Sequence, residues 1–249
     1  MQSPPYNFNT IYESGDYEVR YRVNINGVDY SQSSIWEIKT SRKLFGENNP
    51  LFGCTAVGEI DLTITNDGRP IPPKASIKPY IQLYSPTLRL TSNWVQKGEF
   101  FIDSREQDDT DDIDLLMFHG YDAMRKAMVK YPSSTLEWSS RSPKAYQVVT
   151  EIVCHMFNIE RGQAYYYIDQ ETRQKLQENP YIVNFPAQYT MAEVLGSIAA
   201  MYGGNFCMSD TGMLRLVSLA DLPEETYYLV TERGNCITFG GTRILLRSV

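Results

Sequence analysis

The stretch "WVQKGEFFIDSREQDDTDDIDLLMFHGYDAM", Trp94 to Met124, holds two runs of strand character around an acidic middle. "WVQKGEFFIDS" and "IDLLMFHGY" are rich in aromatic and aliphatic residues, and both read as strands. The residues between them crowd Glu106, Asp108, Asp109, Asp111, Asp112 and Asp114 into one turn. A hairpin with a charged tip is the simplest reading, since neighbouring carboxylates in a turn stay hydrated and ionised. On this reading Asp112 and Asp114 lie on the polar face of the second strand, opposite Ile113, Leu115 and Met117.

The alternatives for the acidic stretch fail on spacing. A calcium loop needs oxygen ligands at alternate positions, a central glycine and a closing glutamate. Counting from Asp109, the third ligand position is Ile113, and neither the glycine nor the glutamate is present. Acid/base catalysis would need one carboxylate buried enough to raise its pKa, which a run of hydrated acids does not offer.

Working outward, the same alternation continues on the N-terminal side. In "YEVRYRVNINGVDY", Tyr17, Val19, Tyr21, Val23 and Ile25 alternate with polar residues up to Asn26-Gly27. That dipeptide accepts the positive φ of a type I′ hairpin turn. "SIWEIKTS" and "EIDLTITND" follow, with Ile60, Leu62 and Ile64 on one face. "RPIPPKASIKPYIQLYSP" carries five prolines, and because proline cannot donate to a ladder it is expected as an edge strand or as one flanked by irregular pieces. The first half therefore predicts an antiparallel sheet or barrel of roughly six to eight strands.

The pattern changes after His119. "GYDAMRKAMVKYP" predicts a short helix with Asp122 as N-cap, a face of Ala123, Met124, Ala127 and Met128, and an end at Pro132. Ser142 and Pro143 open a longer helix, "SPKAYQVVTEIVCHMFNI", whose stripe of Ala145, Val148, Val149, Ile152, Val153, Met156 and Phe157 has helical spacing. In "TMAEVLGSIAAMYGG", Thr190 and Glu193 make a capping box and Gly203 a stop. "NFCMS", "DTG" and "MLRLVSL" then form a hairpin. The last segment, "YYLVTERGNCITFGGTRILLRSV", returns to strand character. Its strands either re-enter the first barrel or begin a domain that continues beyond this chain.

Composition narrows the function. The chain has 249 residues, 42% of them apolar, and a formal charge of −7. Without clustered bases it is not expected to bind nucleic acid specifically, because that affinity rests on neutralising phosphates. No apolar run approaches the ~18 residues that span a bilayer, and no signal-peptide pattern opens the chain, so cytoplasmic synthesis is expected. Cys54, Cys154, Cys207 and Cys236 form no C-x-x-C pair and are expected as free thiols.

Candidate catalytic residues are few. Asp210-Thr211-Gly212 is the tripeptide of aspartic proteases, but those need two such aspartates sharing a proton, and a hairpin turn between two strands asks for the same residues. Cys154 and His155 are adjacent on a helix, about 100° apart, and cannot pair as nucleophile and base. His119 has no second ligand nearby in sequence. No phosphate-binding glycine loop, dinucleotide fingerprint, zinc-protease motif or nucleophile elbow occurs. The expectation is therefore no catalytic, cofactor-binding or metal-binding residue, and no cofactor.

The order of segments carries more. "FGCTAVGEIDLTI", "PIPPKASIKPYIQL", "WVQKGEFFIDSREQDD", "LLMFHGYDAMRKA", the unit "YTMAEVLGSIAAMYGGNFCMSDTGMLRLVSL" and "ITFGGTRILL" together resemble the tail-hub, or baseplate hub, proteins of bacteriophages and prophages. That class includes the N-terminal part of tail-associated lysins, and the resemblance runs from about Phe52 onward. It implies a β-rich α+β chain in three parts. A barrel-like tube domain would cover residues 1–132, a peripheral α+β domain 133–222, and the first strands of a second, incomplete tube domain 223–249.

It further implies a structural homotrimer in the virion tail, assembled in the bacterial cytoplasm. The trimer would join a hexameric tail tube to the distal fibre or spike, with the distal tail protein and the tube or tape-measure protein as partners. Any peptidoglycan hydrolase would lie in domains outside this chain. The competing reading is a carbohydrate- or surface-binding module in which tyrosines and Trp36, Trp94 or Trp138 stack on sugars. A hydrolase built on Asp210 or on the acidic stretch is the third.

Overall fold

The structure, a computed structural model, describes residues 6–42, 52–108, 113–132, 143–183 and 188–218, together with the backbone of four two-residue strands beyond them. Residues 1–217 form one compact unit, and residues 218–249 a second.

A short helix, α1 (Phe8–Glu13), buries Ile11 and precedes the sheet. The predicted hairpin follows as β1 (Glu18–Ile25) and β2 (Val28–Ser31), paired antiparallel. Asn26 at φ 49° and Gly27 at φ 88° make its turn, the two positive φ values that type I′ requires. A 3-10 turn at Gln32–Ser34 leads to β3 (Ile35–Ser41), then β4 (Glu59–Thr65) and β5 (Ser76–Ser85). After two short strands, β6 (Leu90–Thr91) and β7 (Val95–Gln96), the hairpin β8 (Phe100–Asp108) and β9 (Leu115–Asp122) completes the sheet.

The nine strands run β2-β1-β5-β8-β9-β4-β3, all antiparallel, with β6 and β7 paired to β5 off that path. Val23 and Ile25 of β1 share one buried cluster with Ile60, Leu62 and Ile64 of β4. Three strands separate β1 from β4 in the sheet, so the sheet must curl around that cluster. The curl does not close: β2 and β3 end the sheet and share no ladder. The expected barrel is therefore an open antiparallel sheet, joined at its two ends only by the 3-10 turn.

Three strand expectations change. β5 lies in the middle of the sheet between β1 and β8, not at an edge. Its Pro79 is tolerated because its outward side falls where β8 has stopped pairing and β7 has begun: Ile77 faces Phe100, Tyr80 faces Gln96. There the Pro79 carbonyl accepts from Lys97 N at 2.8 Å, and the β7 ladder stops at Gln96, one residue short of the position opposite the proline. "WVQKGEFFIDS" is two strands, interrupted at Gly98, whose φ is 149°. In β9 the buried side chains are Leu116 and Phe118, while Leu115 and Met117 are half-buried on the opposite face. The expected faces of β9 were thus exchanged, as a one-residue shift in register does.

The second layer is helical. Asp122 caps a 3-10 helix, Ala123–Met128, rather than an α-helix. With three residues per turn, Met124 and Ala127 share the buried side and Met128 turns outward, 39% exposed. α2 (Ala145–Phe157) begins two residues later than expected, with Gln147 Oε1 accepting from Lys144 N at 3.0 Å. Its predicted stripe is buried, and Phe157 packs at its margin.

A 3-10 helix at Arg161–Tyr167 and α3 (Gln170–Glu178) follow. α3 is amphipathic, burying Thr172 and Leu176, but it holds few apolar residues, and neither helix is expected from the sequence pattern. α4 (Met191–Met201) carries the predicted capping box, Thr190 Oγ1 accepting from Glu193 N at 3.2 Å and Glu193 Oε2 from Thr190 N at 2.7 Å. Gly203, at φ 62°, ends it. The hairpin β10 (Gly204–Met208) and β11 (Leu214–Ser218) packs into the same core as the helices.

The layers are stitched by residues 53–56. Gly53 N donates to Gly204 O at 3.0 Å, Phe206 N to Cys54 O at 3.2 Å and Ala56 N to Phe206 O at 3.3 Å, so this segment runs as a parallel neighbour of β10. Gly53 and Gly196 meet backbone to backbone there, and a Cβ at Gly196 would strike the Gly53 carbonyl oxygen.

In the second unit, β12 (Tyr227–Tyr228) pairs with β15 (Leu245–Leu246) and β13 (Thr238–Phe239) with β14 (Thr242–Arg243), both antiparallel. Cys236, Trp138 and the hairpin tip Asp109–Asp112 lie outside the described residues.

Candidate functional site

Two places concentrate functional side chains. The first is a cavity of about 240 Å³ lined by Arg42, Gly58, Asp122, Cys207, Ser209, Asp210 and Arg215 among others. Each arrives for a local reason. Arg42 leaves the end of β3, and Asp122 ends β9. Cys207 is near the end of β10, and Asp210 sits in the turn of the β10–β11 hairpin.

Asp122 is 3% exposed. Its Oδ2 accepts from Gly58 N at 2.8 Å and its Oδ1 from Met124 N at 3.0 Å. Burial pushes its pKa up to about 6, against the pull of those two N–H groups and of Arg42. Asp210 is held by Arg42 at 2.5 Å and by Lys97 at 3.7 Å. Its two carboxylate oxygens face cations rather than a second carboxylate, which is not the paired arrangement an aspartic protease needs. The turn accounts for the tripeptide: Gly212 takes φ 79° and Ser209 N and O–H groups bond within the loop.

Nor does the cavity hold an activated nucleophile. Burial raises the Cys207 thiol to about 11, well away from the thiolate. Cys154, also raised by burial, and His155 stand on α2 as expected, half-buried and exposed. His119 Nδ1 lies 2.7 Å from Asp61 Oδ1 on the outer face of the sheet, with its ring edge-on to Tyr121. Among the described residues no three His, Cys, Asp or Glu side chains gather as a metal's ligands would.

The acidic stretch divides. Glu106 and Asp108 belong to β8, and Asp114 accepts from Asn66 Nδ2 at 2.6 Å and Gln107 Nε2 at 2.9 Å. It therefore fastens the hairpin base to the loop after β4. A buried carboxylate that sequence reasoning passed over is Glu151 on α2, 5% exposed. Burial raises its pKa, while Arg161, His155 and the Tyr131 hydroxyl draw it down. It lies off the apolar stripe of α2, so helical spacing gave no signal for its burial.

The second place is the outer face of β1 and β5. Arg20 lies over Tyr84 at 4.2 Å, and Arg22 over Tyr80 at 4.7 Å and Trp94 at 4.9 Å. Arg22 is also paired to Asp29, and Lys78 to Glu99, both at 3.1 Å. This face is a half-buried layer of arginine and aromatic side chains, the composition enriched at protein interfaces. Trp36 stands apart on β3, 58% exposed, its Nε1 donating to Thr65 Oγ1. Among the described residues no helix is long and apolar enough to cross a membrane.

No protein-family model matches the chain, and no curated protein matches it in sequence. Solved structures do. The 43 kDa tail protein of prophage MuSo2 from Shewanella oneidensis superposes with a TM-score of 0.51 at 14% identity, over 86% of this chain and 59% of that one. A tail protein from Neisseria meningitidis MC58 superposes equally well, TM-score 0.51 at 13% identity, over 86% of this chain and 54% of that one. The chain thus shares the fold of these tail proteins and spans somewhat more than half their length.

Proposed function

We propose that this chain is a structural component of a phage or prophage tail. The observation that carries the reading is its fold, matched across 86% of its length by two tail proteins. The aromatic and arginine-rich outer face of β1 and β5 supports it, since an assembly component needs a surface to present to neighbours. The clasped Asp210 and the raised Cys207 thiol favour a structural over a hydrolytic role.

At finer grain, the proposal is a tail hub. Residues 1–132 form the first tube domain, 133–222 a peripheral α+β domain, and 223–249 the start of a second tube domain. Three copies make a ring of barrel-like elements in the virion tail, between the tail tube and the distal fibre or spike. The partners are two further copies of the chain, the distal tail protein, and the tube or tape-measure protein.

Cryo-electron microscopy of particles containing the chain tests this. The expected density is a ring with threefold symmetry at the tail tip. A chain present as one copy, or absent from intact particles, overturns the hub; cell-wall cleavage lost on Asp210→Asn overturns the structural reading.

A further inference from the structure

Asp122 stands where three elements meet. It is the last residue of β9, the cap of the 3-10 helix and the neighbour of the residue that leads into β4. Both carboxylate oxygens are in use, one by Gly58 N and the other by Met124 N. Gly58 is bare because Asp122 fills the space: a Cβ there would lie 2.7 Å from Asp122 Oδ2. A carboxylate can accept both bonds at once. A carboxylic acid keeps some acceptor capacity on both oxygens, but its hydroxyl oxygen accepts far more weakly than a carboxylate oxygen, and its O–H needs an acceptor of its own.

From this geometry we infer that Asp122 is a protonation-operated joint. Ionised, it ties the entry of β4 and the first turn of the 3-10 helix to the end of β9. Protonated, it releases one of the two N–H groups and turns its new O–H into the adjoining cavity. The cavity, about 240 Å³, gives the carboxyl room to turn. The sheet itself does not open, because Asp122 N still donates to Gly58 O at 2.9 Å and the β4–β9 ladder is independent of the side chain.

The groups facing Asp122 set the pH at which the joint works. Arg42, from the end of β3, favours the ionised form. Asp210, from the β10–β11 turn, shares the cavity and is itself occupied by Arg42 and Lys97. Cys207 of β10 stays neutral, and Arg215 of β11 shares the cavity with a link to Glu171 at 3.6 Å. Burial outweighs Arg42, and the joint responds near pH 6. Loosening the cap frees the 3-10 helix, which carries Met124 and Ala127 of the helical core, to shift relative to β4.

The test is a titration of backbone amide shifts and exchange on the full chain. The Gly58 and Met124 amide shifts should move together, with one midpoint near pH 6, and one of the two amides should lose exchange protection below it, while Ile60 and Leu62 stay protected. In Asp122→Asn both amides should be pH-independent. Arg42→Gln, which changes no residue of either core cluster and removes only the guanidinium over Phe100, should raise the midpoint and serves if the first variant fails to fold. Separate midpoints, a shared midpoint below pH 4.5, or one unmoved by Arg42→Gln would overturn the joint.

Discussion

The sheet and the helical layer bury their apolar side chains in different ways. Among the described residues the sheet's cluster has 12 buried side chains, all but Ala75, just before β5, on strands of one curled sheet. The helical cluster has 24, drawn from both 3-10 helices, three α-helices and a hairpin. Helices surrounded by neighbours consume their apolar stripes, whereas a sheet curled on itself uses only one face. The half of the molecule with a face to spare is therefore the sheet, and that is where the arginine and aromatic layer lies. In a protein proposed to assemble, the layer with fewer internal contacts is the one to search for partners.

The largest test of this contrast is a matched pair of core truncations. Ile60→Ala in the sheet and Ile152→Ala in the helical layer remove fully buried side chains, and each should cost about 2–5 kcal/mol. Urea denaturation followed by fluorescence and circular dichroism decides how far the layers are separate. One shared transition lowered by either change is expected for a single compact unit; two transitions, each moved by one variant only, would divide it.

Acidity probes the seam. The pKa of Asp122 is raised from 3.8 to about 6 on folding, so the stabilisation linked to its neutral form is complete below pH 3.8 and is lost as pH rises through 6. Between pH 7 and pH 4 this group should add roughly 2 kcal/mol to stability. Urea midpoints for the protein and for Asp122→Asn should show that increment only in the former; equal pH profiles would refute the shift. Global stability thus rises on acidification while the local joint loosens, and the two readings have opposite signs.

Gly196→Ala sharpens the contact between the layers. Alanine in mid-helix is ordinarily the better helix former by ~1 kcal/mol, but here its Cβ meets the Gly53 carbonyl. A net loss of about 1–3 kcal/mol is expected in thermal melts, and a gain would mean that the two backbones separate freely. Thr190→Ala removes one cap bond of α4 and should cost ~1 kcal/mol by the same melts. Asp210→Asn is the smallest. Its ion pairs are about a third exposed, and denaturation should move by less than ~1 kcal/mol.

Sequence pattern revealed much of this architecture where local chemistry and tertiary packing agree. The Asn26-Gly27 turn, the β4 alternation, the α2 stripe and the Thr190/Glu193 box each specify their element within a few residues. It misled where a long-range neighbour decides. Pro79 reads as an edge residue, yet the break between β8 and β7 makes room for it in the centre. Leu115 and Met117 are as apolar as Leu116 and Phe118, and only the pairing with β4 selects which pair is buried. α3 has too few apolar residues to announce itself. The cavity was illegible for the same reason: Arg42, Asp122 and Asp210 are brought together by sheet curvature and a late hairpin, and no spacing links them. Asp122 was legible as a cap, but its burial was not.

The parallel seam of residues 53–56 on β10 has a consequence in time. Its hydrogen bonds join residues about 150 positions apart, Cys54 N to the Asn205 side chain among them. During synthesis, at about 5–20 residues per second, β10 emerges on the order of ten seconds or more after this strap. The sheet strands are all available early, but the strap that leads into β4 has no partner until the hairpin arrives. The nascent chain is therefore predicted to carry a formed sheet with an unsecured strap. Pulse proteolysis of ribosome-bound chains should find cleavage between Gly53 and Val57 in products truncated before Gly204, and protection once Leu216 has cleared the exit tunnel.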